Sequence, residues 1–252
     1  MVHFHQEWQR PPAVLSLEAN EIHCWVAPLD QPPTILETLA QCLSADERER
    51  AAGFYFERHR AQYVAARGIL RHLLAYYTRQ KPVELRFSYA ENGKPALRGN
   101  DEVRFNLSHS GDLVLYAFAH CREVGVDLEE VRPLSDLDSL AERSFSPIEV
   151  AALHTLPPHQ RLSSFFACWA RKEAFIKALG NGLSYPLDQF DVSFLPGETT
   201  RLLRVLGDPA APARWQMDAL DPAEGYAAAL VSDGQGGSLR RWVWDKALIV
   251  TG

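Results

Sequence analysis

Two stretches of this chain carry the same helix-start signature. Ser44-Ala45-Asp46-Glu47 and Ser146-Pro147-Ile148-Glu149 are both S-x-x-E capping boxes. In each, the serine accepts from orphan backbone N–H groups and the glutamate reaches back to the serine N–H. Pro147 adds a residue preset for the first helical position. Each start precedes a longer helical pattern rich in basic and apolar residues, Arg58 to Thr78 in the first case and Arg161 to Leu179 in the second. A sequence that writes the same helix pair twice is constrained to build two similar units, which points to an internal duplication.

Short strands surround these helices. Ile22 to Val26 is apolar, and Leu85 to Tyr89 alternates and ends at the turn signal Glu91-Asn92-Gly93. Val103 to Leu107 and Leu113 to Ala119 flank a corner at Ser108-His109-Ser110-Gly111-Asp112, as in an antiparallel hairpin. Val124 to Leu128 follows. Further strands are expected at Phe190 to Phe194, Arg214 to Met217, Tyr226 to Val231 and Arg241 to Trp244, with a glycine-rich loop from Asp233 to Ser238. Short strands in runs, interrupted by helix pairs, give an α+β chain with antiparallel sheets. A boundary near Cys121 to Val124 divides it into residues 1–122 and 123–252.

Composition narrows the classes. With 46% hydrophobic and 23% charged residues, the chain can build a core and is not a disordered polymer. A net charge of -6 argues against a dedicated nucleic-acid binder, which needs clustered Lys and Arg. No apolar run approaches a membrane span and no signal-type segment opens the chain, so a cytoplasmic protein is expected. Cys24, Cys42, Cys121 and Cys168 lack C-x-x-C pairing and read as buried thiols in a reducing compartment. His3-Phe4-His5 has the form of a metal-binding pair, but at a polar terminus it reads as a tail.

Three constellations carry chemistry. In Gly125-Val126-Asp127-Leu128-Glu129, strand alternation puts Asp127 and Glu129 on one face. Two such carboxylates repel unless a cation lies between them, and hard oxygen donors suit Mg²⁺. A solvated edge strand is the alternative. In Trp169-Ala170-Arg171-Lys172-Glu173-Ala174-Phe175-Ile176-Lys177, Trp169 and Ile176 mark an apolar stripe while Glu173 and Lys177 lie one turn apart. These two form either a surface ion pair or, respectively, a third carboxylate of the cluster and a phosphate-binding cation.

The third constellation runs from Arg104 to Asp112. Neighbours in an extended chain point to opposite faces, so Ser108 and His109 do not form a hydrolytic dyad. Hydroxyl, imidazole and backbone N–H groups at a strand end suit a phosphate, and turn chemistry accounts for them equally. Lys94 in Gly93-Lys94-Pro95 is either an exposed anion-binding lysine or a solvated one. For Arg50, Arg67 and Arg71 a solvated helix face is the default.

Taken together these segments resemble the Sfp-type 4′-phosphopantetheinyl transferases. The family's (I/V)-G-(I/V)-D-x-E strand corresponds to Val124 through Glu129, and its W-x-x-K-E-x-x-x-K helix to Trp169 through Lys177. Its G-K-P and N-x-S-H-S segments correspond to Gly93-Lys94-Pro95 and Asn106 through Ser110, and its A-R-x-x-L-R stretch to Ala66 through Arg71. Five segments in order are far more specific than any one of them.

The resemblance implies two similar α+β halves related by a pseudo-twofold axis, with coenzyme A in the cleft between them. It implies an Mg²⁺-dependent enzyme that moves the phosphopantetheine arm of coenzyme A to a serine of an apo acyl or peptidyl carrier protein, and the length and pseudo-dimeric pattern point to a monomer. Asp127, Glu129 and Glu173 would hold the metal. Lys177 would bind a phosphate and protonate the departing 3′,5′-ADP, and Glu173 would serve as base. Arg50, Arg67, Lys94, Ser108 and His109 would grip the nucleotide phosphates, His109 at the 3′-phosphate. Because such carriers are acidic and this chain is too, docking needs a locally basic or apolar surface, for which the helix starting at Ser146 and the loop from His154 to Arg161 are the candidates. The same carboxylates also admit an Mg²⁺-dependent hydrolase of a coenzyme A or nucleotide pyrophosphate, and an inactive binding module ranks behind it.

Overall fold

A computed structural model of the chain describes residues 2–12, 14–90, 93–180 and 185–249. The expected turn at Glu91 and Asn92 lies outside the described residues.

Both capping boxes form. Helix α2 (Ala45–Ala52) starts at Ser44, whose N–H donates to Glu47 at 3.0 Å. Helix α5 (Pro147–Thr155) starts at Ser146, whose N–H donates to Glu149 at 3.0 Å. Each is followed by a helix of 22 residues, α3 (Glu57–Thr78) and α6 (Pro158–Leu179). Helix α1 (Pro33–Gln41) precedes α2, and α4 (Leu137–Ser144) precedes α5. Neither was foreseen, although Pro33 at the first helical position is a start signal in itself. A short helix α7 (Ala211–Arg214) comes late in the chain.

A four-stranded sheet carries the first core, with β1 (Glu21–Pro28), β5 (Leu113–His120) and β4 (Val103–Ser110) paired antiparallel. Its fourth strand is β11 (Ser238–Val243), which returns from the end of the chain and pairs with β1 in parallel. The expected all-antiparallel arrangement is therefore corrected on this edge, where a distant segment joins rather than a hairpin partner. A three-stranded antiparallel sheet holds β6 (Val124–Glu130), β10 (Tyr226–Asp233) and β9 (Trp215–Leu220). Two small ribbons complete the chain. They pair β2 (Phe87–Tyr89) with β3 (Pro95–Leu97), and β7 (Phe190–Val192) with β8 (Leu202–Val205). The architecture is α+β.

The corner expected from Ser108 to Asp112 is tighter than the sequence suggested. Ser108, His109 and Ser110 remain in β4, and the reversal takes only Gly111 and Asp112. Gly111 has φ 56°, the left-handed first position that a two-residue hairpin needs. This keeps three alternating side chains, Asn106, Ser108 and Ser110, in strand geometry.

Three apolar clusters fill the interior: α3 against the first sheet, α6 against the second, and a middle layer between the sheets. Cys24, Cys42 and Cys168 are buried as expected, whereas Cys121 is exposed on the β5–β6 connection. No helix among the described residues is long and apolar enough to cross a membrane. Arg161, in the segment expected to dock a carrier, caps the end of α5, donating to the carbonyls of Leu156 and His154.

Candidate active site

The site is assembled where α6 crosses β6. A Cβ on Gly125 would lie 2.2 Å from the Ala174 carbonyl oxygen and 2.3 Å from the Ala178 nitrogen, so only glycine lets the helix lie on the strand backbone. This close approach brings Lys177 to Asp127, two residues along the strand. The Lys177 Nζ sits 2.5 Å from Asp127 Oδ1 and 2.9 Å from Ser108 Oγ, and Ser108 donates to Asp127 Oδ1 at 2.9 Å. Glu173, one turn back on α6, is buried beside them. The surface Glu173–Lys177 pair left open by the spacing does not form, because Lys177 turns to Asp127 instead.

Strand β4 holds β6 through side chains. The Val126 N–H donates to Asn106 Oδ1 and the Glu130 N–H to Ser110 Oγ, both at 3.0 Å. Ser108 bridges to Asp127 between them. The alternation of Asn106, Ser108 and Ser110 was the signal in the sequence for this stitching. Asn106 and Ser110 were missed as functional residues because no local rule says what faces a strand across a sheet junction.

The electrostatics are those of carboxylates short of positive charge. Burial pushes the Asp127 carboxyl up, against the pull of Lys177 and Ser108. Burial and then the neighbouring Asp127 raise Glu129 to about 7, and the same two causes raise Glu173 to about 7. Burial, helped by Lys177, lowers His109 and favours its neutral imidazole. Asp127 Oδ2 and Glu173 Oε1 are buried and meet no hydrogen-bond donor among the described residues. Hard oxygens in that condition are a fitting donor set for a divalent ion. Among the described residues, no three His, Cys, Asp or Glu side chains are already drawn together in metal-binding arrangement.

A cavity of about 710 Å³ opens beside this cluster. Arg50, Arg67, Lys94 and His109 reach its wall from the first half of the chain, and Glu173 and Lys177 from α6. Arg50 is exposed and stacks over Tyr63 at 5.6 Å. Lys94 is not the exposed lysine expected, since its Nζ lies 3.0 Å from Glu123 and 3.3 Å from the Ala178 carbonyl. Arg67 and Arg71 are not on a solvated face either. Both are buried against Glu47, Arg67 at 2.6 and 2.9 Å and Arg71 at 2.6 Å. Two guanidinium groups satisfy one buried carboxylate there, which a helix-wheel reading cannot anticipate. Arg67 still reaches the cavity, where it also donates to the Tyr89 hydroxyl at 2.9 Å.

Comparison with known proteins finds relatives for both parts of the chain. Residues 123–231 match the 4′-phosphopantetheinyl transferase superfamily, and residues 31–121 match the 4′-phosphopantetheinyl transferase N-terminal family. The 4′-phosphopantetheinyl transferase HetI of Nostoc sp. is 40% identical over 238 residues, 93% of this chain and 97% of that one. This chain belongs to the 4′-phosphopantetheinyl transferase superfamily. The 4′-phosphopantetheinyl transferase Sfp of Bacillus subtilis is 32% identical over 156 residues, 62% of this chain and 68% of that protein. Among solved structures, the Thermotoga maritima holo-[acyl-carrier-protein] synthase superposes with a TM-score of 0.36 at 25% identity, covering 44% of this chain and 62% of that one. As in the sequence motifs, both halves of this transferase chain contribute to the cavity: the phosphate-binding candidates from the first, the acid–base candidates from the second.

Proposed function

We propose that this chain transfers the 4′-phosphopantetheine arm of coenzyme A to a serine hydroxyl of an apo carrier protein, releasing 3′,5′-ADP. The observation that carries the reading is the Ser108–Asp127–Lys177 cluster beside Glu173 at the edge of a cavity with a basic wall. Membership of the superfamily and the names of its relatives supply the reaction class.

Asp127, Glu129 and Glu173 are the residues that would hold Mg²⁺, which when bound supplies neutralising charge to the pyrophosphate. Arg50, Arg67, Lys94, Ser108 and His109 are the candidates for gripping the nucleotide phosphates. They would fix the phosphorus that carries pantetheine for in-line attack. The carrier serine oxygen forms a new bond to that phosphorus, and the bond to the bridging oxygen of 3′,5′-ADP breaks. Glu173 takes the serine proton, a role suited to a carboxylate raised toward neutrality by burial. Lys177 meets the charge that develops on the leaving oxygen and gives it a proton.

The test is intact-protein mass spectrometry of apo carrier proteins incubated with the chain, coenzyme A and Mg²⁺. A gain of one phosphopantetheine arm is expected. It should be lost with EDTA, and reduced by about a thousandfold or more in Asp127→Ala and Glu173→Ala variants that stay folded. Carrier-independent cleavage of coenzyme A without arm transfer would turn the reading to a hydrolase.

A further inference from the structure

Strand β4 serves two sides at once. Asn106, Ser108 and Ser110 bond across to β6, and Leu107 and His109 line the cavity. Of the three stitching residues, Asn106 alone is also part of the cavity wall. It is 5% exposed, so its amide is held in place rather than solvated.

The chemistry of its partner fixes which way that amide faces. A backbone N–H can only donate, so the Asn106 atom that meets Val126 N–H at 3.0 Å is Oδ1. The amide plane then turns Nδ2, with its two donors, away from β6. None of the described residues accepts from it, and it is not sealed from solvent-sized space. Stitching alone does not require this residue type. Ser110 does the same job for Glu130 with a hydroxyl. An acceptor on one branch and a donor on the other is what an amide adds.

We infer that Asn106 touches the substrate: Nδ2–H donates to an oxygen of coenzyme A in the cavity, while Oδ1 holds Val126 and so positions the adjoining Asp127. The inference rests on the reading of this cavity as the coenzyme A site. The acceptor is a phosphate oxygen of the nucleotide half or an oxygen of the phosphopantetheine half, since both present the lone pairs that an amide donor seeks. One side chain thereby links occupancy of the cavity to the strand that carries the reacting cluster.

The experiment is a titration of the ¹⁵N-labelled full chain followed at the side-chain amide signals. The Asn106 signal is assigned by its disappearance in Asn106→Asp, or in Asn106→Ser should the first variant not fold. Coenzyme A, 3′,5′-ADP and 4′-phosphopantetheine are added separately. A downfield shift of the Nδ2 protons with coenzyme A, reproduced by one of the two fragments, is expected and names the half that supplies the acceptor. Asn106→Asp keeps the acceptor for Val126, so its melting temperature should stay near that of the parent while coenzyme A binds about tenfold or more weaker. An Asn106 signal unmoved at saturating coenzyme A, in a chain whose other signals report binding, overturns the inference. Absence of any coenzyme A binding to the parent chain overturns the reading of the cavity, and the inference with it.

Discussion

Helix α3 meets the first sheet through Tyr116 and Phe118, with the Tyr116 hydroxyl donating to the Ala66 carbonyl at 2.8 Å. Helix α6 instead lies on the bare backbone of β6 at Gly125. The two helices have the same length, follow the same kind of capping box, and each anchors the buried glutamate of that box. Glu47 takes Arg67 and Arg71 from α3, while Glu149 takes Lys172 from α6 at 2.7 Å. The difference lies in what remains free to act. An aromatic layer keeps α3 away from the strand backbone, so its arginines serve the fold and one cavity wall. Direct contact at Gly125 sets Glu173 and Lys177 against Asp127, so α6 carries the reacting groups.

Removing the buried cations breaks the comparison most severely. Lys172 is completely buried, and its Nζ also donates to the carbonyls of Leu187 and Phe190 at 2.7 and 2.5 Å. Lys172→Met would leave Glu149 without its only ion-pair partner among the described residues, at a cost of about 3–5 kcal/mol. Arg71→Met should cost less, because Arg67 still pairs with Glu47. Denaturant unfolding of the two variants measures the order, and equal losses would show that the second arginine gives Glu47 no protection.

A smaller effect on stability, with a sharper effect on activity, is expected at the helix contacts. Gly125→Ala forces α6 off β6 and should destabilise by about 3 kcal/mol while removing transfer activity, since Asp127 and Glu129 separate from Glu173 and Lys177. Gly68→Ala presses on Leu39, with its Cβ 2.5 Å from the new methyl, at the α1–α3 contact. It should lower the melting temperature yet leave measurable transfer. Should both variants lose activity in proportion to stability, the special role of the Gly125 contact is wrong.

The smallest effect is in pH dependence, where the two regions carry opposite signs. Burial pushes Glu47 up, but the Arg71 hydrogen bond and the Arg67 charge outweigh it, so its pKa falls below the reference value of 4.5. Its contribution is present above that value and is lost as acid takes the pH through the lowered pKa. Glu129 and Glu173 are raised to about 7, so the folded state holds their protons more tightly than the unfolded chain does. Their ionisation therefore costs stability as pH rises from 4.5 toward about 7. In EDTA, a Glu129→Gln, Glu173→Gln double variant should gain stability over the parent at pH 8 relative to pH 5. A pH-independent difference would remove these carboxylates from the linkage.

The helix starts were legible because capping boxes act within four residues, and Ser44, Glu47, Ser146 and Glu149 announce them without reference to anything distant. Strand alternation likewise set Asp127 and Glu129 on one side, and kept Ser108 from being activated by His109. Helix α1 and ribbon strands β3 and β8 went unseen because runs this short give too few periods to count. What Lys177, Lys172 and Asn106 do was decided only by packing. Their partners Asp127, Glu149 and Val126 lie far away in sequence, and they meet because α6 lies on Gly125 and β4 runs beside β6. Local sequence states which groups a segment offers. Which of them are spent on the fold, and which face the cavity, depends on contacts that exist only when both sheets and both long helices are in place.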